Sequence, residues 1–378
     1  MNTYSVPGSL RILMILTCLA AVAASGGTSF DISTKTVAAQ PGGTLRVVLA
    51  AGNIQITPWD KNEVRVNSVS SDDDLSVSSS GNTVQIRCSS DLDIQVSVPK
   101  RFNLDVLSGS GDITIAGSVD GTFKGKTSGG EVTLRDFGGD INISTGGGGV
   151  TCGDVNGKAK IHSAGGDIHL GTVAGEAVLE TDGGDVDVSD VGKSLDARTS
   201  GGNITAGKVG GRARLMTSGG NIEVGQISGD CDLESSGGNI AVHGAGGKVT
   251  ATTSGGDLTL EQIQGAFDGS TSAGNIDATV VEGKSGGRCD GSLSSGGGNI
   301  ALALPADVNT TITAKVHDAD FSSDEDDRSE ISSEFTADSY TKDERAGTIV
   351  AVYRLNKGTG SITLEASGGS ISIVKGKH

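Results

Sequence analysis

Between Glu131 and Asn275 the chain repeats itself every eighteen residues, and that period constrains the fold more than any other feature. The residue after the closing glycine of each unit falls at Glu131, Gly149, Asp167, Asp185, Asn203, Asn221, Asn239, Asp257 and Asn275. A short fixed period of this kind is the mark of a solenoid, in which a repeat buries its apolar face only against its neighbours. One place further on stand Val132, Val150, Ile168, Val186, Ile204, Ile222, Ile240, Leu258 and Ile276, all apolar. Three and six places on, the apolar columns run from Leu134 to Ala278 and from Phe137 to Val281; ten and twelve places on, from Ile141 and Ile143 to Val249 and Ala251. Steps of two within each half are the period of a strand and exclude a helix.

Glycine recurs eight places on, from Gly139 to Gly283, and again at the end of each unit. Because glycine takes φ > 0 without steric penalty, these columns are expected to be corners in left-handed backbone. A three-sided coil of six-residue units would also repeat at eighteen, but the apolar columns do not fit a spacing of six. The expected fold is therefore all-β: a single-stranded β-helix, or β-solenoid, of 18-residue coils with two short strands each. In parallel register equivalent side chains lie about 4.8 Å apart. Lys158, Lys160 and His162 then face Glu176 and Glu180, while Arg212 and Arg214 face Asp230, Asp232 and Glu234. Such rows read as lateral self-pairing rather than as a binding patch.

The rest of the chain divides around this block. Residues 1–25 have the form of a secretory signal, with Arg11, an apolar stretch from Ile12 to Ala24 and small residues for cleavage. Thr17 before Cys18 matches a lipoprotein site poorly, so lipidation at Cys18 is not expected. Residues 26–106 carry short alternating runs, read as irregular coils that cap the solenoid; 107–306 are the regular repeat. Residues 307–378 form a C-terminal β segment with an acidic insertion at 317–345, read as a loop whose flanks, Thr310 to Val316 and Thr348 to Leu355, could pair as a hairpin.

Chemistry is sparse. Only 3% of the residues are aromatic against 61 glycines, so the core must be thin and long. A net charge of −17 argues against nucleic acid as a partner. Cys152 and Cys231 sit in inward columns more than four coils apart, too far to bridge, and read as small buried hydrophobes. Whether Cys88 or Cys289 joins a disulfide is left open. The five histidines do not gather with cysteines at zinc spacing. Calcium-binding nine-residue repeats need a third glycine and a ligand aspartate that these units lack; Asp182, Asp185, Asp187 and Asp190 are the best calcium candidates. Gly283-Lys284-Ser285-Gly286-Gly287 has the spacing of a nucleophile elbow without the strand-to-helix turn that the motif needs. No catalytic residue, cofactor site or membrane span is assigned to the mature chain.

Several motifs, in order, are similar to those of the putative adhesin family, exported bacterial β-strand-repeat proteins with a domain of undefined function. They are Ile54-Gln55-Ile56 followed by Trp59 and Val64-Arg65-Val66, Val96-Ser97-Val98-Pro99, GSGDITI from Gly109, the TSGGxI series, LPAD from Leu304, and GSITLEASGGSISI from Gly360. The resemblance covers nearly all of the mature chain. It implies a right-handed β-helix in the cell envelope or outside it, and it brings no catalytic residues. The acidic insertion and the strict period depart from the family pattern. The expected function is a non-catalytic, exported adhesin-like or envelope scaffold, in the periplasm, at the cell surface or outside the cell, that binds a protein or a cell-surface component. The alternatives are a carbohydrate-active β-helix protein and a calcium-stabilised repeat protein.

Overall fold

A computed structural model describes residues 32–69, 74–281, 287–317 and 330–376. The signal segment with Cys18, residues 318–329 of the acidic insertion, most of the Gly283–Gly287 motif and His378 lie outside the described residues.

Each regular coil gives one strand to each of two parallel sheets, because its two alternating runs place their apolar columns on the same narrow interior. In the coil that begins at Asp167 these strands are Ile168–Val173 and Ala177–Thr181. Ile168 stacks between Val150 and Val186, and Ala177 between Ala159 and Leu195, eighteen residues away in either direction. Ile204, Ile222 and Ile240 are at most 1% exposed, so the rungs meet across a dry core. Among the described residues the first sheet has 17 strands, which at about 4.8 Å per rung makes a stack about 75 Å long. One column slips. Beside Ile263 lies Val280 rather than Val281, and Gln262, at φ 49°, sits at the irregularity where the longer strand faces the shorter one.

The glycine columns have a different cause from the one expected. Among the described residues the closing glycines of the regular coils, Gly130 to Gly274, take no left-handed φ. Instead, a Cβ placed on Gly202 or Gly220 would fall on the carbonyl of Gly184 or Gly202 in the adjacent rung. These glycines are there because two backbones pass too closely for any side chain. The Asn and Asp that follow also reach between rungs. The Oδ1 atoms of Asp167, Asp185, Asn203, Asn221 and Asn239 accept the backbone N–H of the residue eighteen places on, at 2.6 to 2.8 Å. Corner donors that a sharp turn would leave unpaired are thereby satisfied.

A buried hydroxyl column completes each rung. Thr199 Oγ1 donates to the Gly184 carbonyl at 2.8 Å and accepts from the Gly202 N–H at 3.2 Å; the same pair of bonds recurs at Thr145, Ser163, Thr181, Thr217, Ser235, Thr253 and Thr271. The threonine of TSGG is thus an inward residue. It fits a dry core because both hydroxyl functions are used, where an unmet buried polar group costs about 1–3 kcal/mol.

At both ends the order of the rungs departs from the order of the chain. Strand Gly43–Ala51 lies between Thr83–Asp91 and Phe102–Ser108, and Ile54–Trp59 lies between Ile94–Pro99 and Ile113–Ile115. At the other end Gly360–Ser367 lies between Gly291–Ser295 and Thr310–His317, and Ile371–Lys375 between Ile300–Leu304 and Ile331–Ser333. A segment from each end of the solenoid is therefore held as an inner rung, paired on both sides. At three of the four sheet ends antiparallel strands lie beyond these rungs: Ile32–Ala38 on Glu63–Val69, Leu75–Ser80 on Thr83–Asp91, and Ser339–Asp343 on Thr348–Leu355. These last strands are rich in serine, threonine and lysine, which suits an edge that must not recruit another chain.

The flanks of the acidic insertion pair as an antiparallel hairpin, with Ile312 opposite Tyr353. Its described part is more ordered than a loop, since Ile331–Ser333 and Ser339–Asp343 are strands. Ile331 supplies the reason: it is buried and stacks on Ile371.

Candidate functional site

The outward positions of the second sheet alternate with the buried ones, so each rung offers two side chains to a flat face. Parallel register sets these in rows, and several charges in the middle rungs find opposite partners. Lys158 Nζ lies 2.8 Å from Glu176 Oε2, His162 Nδ1 3.5 Å from Glu180 Oε2, Arg214 Nε 3.8 Å from Asp232 Oδ2 and Lys248 Nζ 2.6 Å from Asp268 Oδ2. Four expected members depart from this pattern. Lys160 stands opposite Val178, and Arg212 makes no ion pair among the described residues. Asp230 accepts the Lys248 N–H at a corner, and Glu234 stands opposite Met216. All of these pairs are solvated, so each is individually weak.

Towards the N-terminal end of the same face the pairing fails. Successive rungs there are Gly43–Ala51, Phe102–Ser108, Phe123–Thr127, Ile141–Thr145 and Ala159–Ser163. Arg46 is matched by Asp105 at 3.5 Å. Lys124, Lys126 and Lys160 are exposed, and no carboxylate of the described residues pairs with them. In register with Lys126 is Leu107, 37% exposed, and beside Leu107 is the half-buried Val48. A shallow groove of about 330 Å³ is lined by Arg46, Val48, Asp105, Leu107, Lys124 and Lys126, and Lys160 lies outside its lining. The sequence hid this cluster because Arg46 is far from Lys124 along the chain; Lys160 was visible but counted among the paired charges.

The four calcium candidates do not converge. Asp185 Oδ1 accepts the Asn203 N–H, Asp190 Oδ1 accepts the Lys208 N–H at 2.7 Å on a different corner, and Asp187 stands 3.8 Å from His169 on the first sheet. The Asp182 backbone carbonyl accepts the Ser200 N–H. Among the described residues no group of three or more His, Cys, Asp or Glu is placed to hold a metal ion.

Cys88, Cys152, Cys231 and Cys289 are free and buried. Burial pushes the thiols of Cys152, Cys231 and Cys289 up to about 12, so all three stay protonated and unreactive at neutral pH.

One histidine is a bridge that the sequence did not reveal. His243 places Nδ1 2.9 Å from Glu261 Oε2 and Nε2 3.3 Å from Glu223 Oε1, linking three rungs of the first sheet. The hydrogen bond to Glu261, aided by Glu223, holds its pKa above the ordinary 6.5 against the effect of burial. Because the folded pKa is raised, the stabilisation is complete below the unfolded pKa and is lost as pH rises through the folded value. An NMR titration is expected to place the His243 midpoint above that of an unstructured histidine, and Glu261→Gln is expected to lower it. A midpoint unmoved by Glu261→Gln would show that the bridge does not form.

Other depressions are also open. One of about 450 Å³ lies over Arg198, Arg214, Glu180 and Glu234, and one of about 380 Å³ lies where Gly149 interrupts the row of corner Asx side chains, between Glu131, Asp167 and His169. Trp59 is fixed by its own surroundings, with Nε1 donating to the Glu63 carbonyl at 2.9 Å and with Lys61 and Arg65 over the ring at 4.9 and 4.8 Å. No helix among the described residues is long and apolar enough to cross a membrane.

No protein-family profile and no curated protein matches the chain. Solved structures do. One, from Parabacteroides distasonis and described as a putative adhesin, is 12% identical over 63% of this chain and 95% of its own, with a TM-score of 0.29. Another putative adhesin, from Parabacteroides merdae, is 10% identical over 71% of this chain and 97% of its own, with a TM-score of 0.30. A third, also from Parabacteroides distasonis and described as a putative lipid binding protein, is 14% identical over 73% of this chain and 98% of its own, with a TM-score of 0.25. Two of these three thus carry the description of the family that the sequence resembles.

Proposed function

We propose that this chain is an exported, non-catalytic scaffold of the cell envelope or cell surface, which binds another macromolecule along one side of its solenoid. The observation that carries this reading is the length and flatness of the two sheet faces. A stack about 75 Å long, with its backbone and corner polar groups already bonded to one another, offers an extended row of side chains rather than a cleft. Extended faces built on a repeat suit long partners, because each rung adds a similar increment of contact. The depressions on these faces are shallow, and their charged groups are engaged mainly with neighbouring rungs. The signal-like segment at residues 1–25 supports export.

The reading is tested with the purified full chain and isolated cell envelopes. Saturable binding that weakens with salt, without release of reducing sugars or peptides, is the expected result. Absence of saturable binding at low salt would remove the scaffold, and steady release of product would replace it with an enzyme.

A further inference from the structure

We infer that the cationic end of the second sheet, centred on Lys124, Lys126 and Lys160, binds a sparsely charged linear polyanion, namely a polysaccharide bearing carboxylate groups. This rests on the binding reading above and narrows it to one face and one partner chemistry.

Charge is the first ground. In a chain of net charge −17, Lys124 and Lys126 on one rung and Lys160 two rungs further on stand on one face with no carboxylate at ion-pair distance among the described residues.

Spacing is the second. Arg46, the Lys124 and Lys126 pair, and Lys160 occupy every second rung, so their rows are about 10 Å apart and span about 19 Å. A nucleic acid strand carries a phosphate about every 3.4 Å, far denser than these cations, and its excess charge would meet the acidic remainder of the molecule. A polysaccharide in which uronates alternate with neutral sugars has a whole uncharged ring between its charges and fewer of them to leave unmatched.

The surface between the cations is the third. Leu107 and Val48 form a small aliphatic floor in the groove, against which the C–H face of a sugar ring can lie. A lipid surface fits less well. Leu107 and, opposite Lys160, Val178 are the large apolar side chains exposed there among the described residues, and a rigid flat sheet cannot drive them into the acyl region as an amphipathic helix would.

The test is native electrophoresis of the full chain through gels containing hyaluronate, in which uronates alternate with neutral sugars, at low salt. The unmodified chain is expected to be retarded, less so as salt rises. Lys124→Glu, Lys126→Glu and Lys160→Glu together are expected to weaken binding on the order of tenfold or more. Lys193→Glu, Lys208→Glu and Lys357→Glu change the net charge equally, away from the groove, and are expected to keep it. If the first triple variant melts at a lower temperature, the corresponding Gln variant carries the test. No retardation of the unmodified chain, equal loss in both sets, or equal or tighter binding to phosphatidylglycerol vesicles or single-stranded DNA would overturn the inference. Absence of hyaluronate binding with envelope binding intact would sink this assignment alone and leave the scaffold standing.

Discussion

Gly220→Ala is expected to destabilise the solenoid strongly, whereas Gly219→Ala, one residue away, is expected to be nearly neutral. The two glycines look equivalent in the TSGG motif. In the fold they are not: a Cβ on Gly220 would meet the carbonyl of Gly202 and the N–H of Asn203, both backbone atoms of the adjacent rung. A Cβ on Gly219 would come no nearer than 3.4 Å to the Gly201 carbonyl, which is close to ordinary contact. Overpacking commonly costs about 1–3 kcal/mol, and here neither clashing group is a side chain that can turn aside. The adjacent rungs must move apart, which also strains the Asn203 to Asn221 bond and the Thr217 hydroxyl bonds nearby. Chemical denaturation should show a lower midpoint for Gly220→Ala and little change for Gly219→Ala. Equal midpoints would mean that the rungs are further apart than described.

Removing residues 358–378 is expected to unfold the C-terminal end while leaving the central coils intact. The segment is short, but it supplies an inner rung. Ile362, Leu364, Ile371 and Ile373 are fully buried, each contributing about 1.5–3 kcal/mol of burial. Without them, Gly291–Ser295 and Thr310–His317 lose their shared partner, as do Ile300–Leu304 and Ile331–Ser333. Because each solenoid rung is stabilised chiefly by its neighbours, the damage should stay near that end. Limited proteolysis should then cut between residues 287 and 355 and spare 123–280. A truncated chain as resistant as the full one would show that the last segment is an outer strand and not an inner rung.

How far the sequence reveals this molecule depends on the distance over which each feature is written. The inward columns headed by Val132 and Ile141 were legible because their period lies within a single coil and their partners are always eighteen residues away. The rung order at the ends was not. Gly43–Ala51 pairs with segments some forty and sixty residues further on, and no local pattern records that choice. The glycine columns stand out in the sequence, but sequence cannot separate a need for φ > 0 from a need for close approach. Thr199 and its equivalents were passed over as motif letters, although their place two residues after an inward column, in step with the strand period, marked them as buried. The paired charges of the middle rungs were readable from the repeat. The unpaired lysines were not, because what isolates Lys124 is the arrival of Arg46 to occupy Asp105, and what isolates Lys126 is Leu107 opposite it.

Cross-linking of introduced cysteine pairs in the otherwise unchanged protein bears most directly on the parallel in-register stack. Thr205 lies opposite Glu223, one rung away, and Glu223 opposite Ala241. Partners on adjacent rungs fall within the Cα separation that a disulfide spans, whereas residues two rungs apart, at about 10 Å, do not. Mild oxidation is therefore expected to join Thr205→Cys to Glu223→Cys, and to leave Thr205→Cys with Ala241→Cys unlinked. Efficient linkage of the second pair, or failure of the first with both thiols accessible, would contradict the eighteen-residue rung.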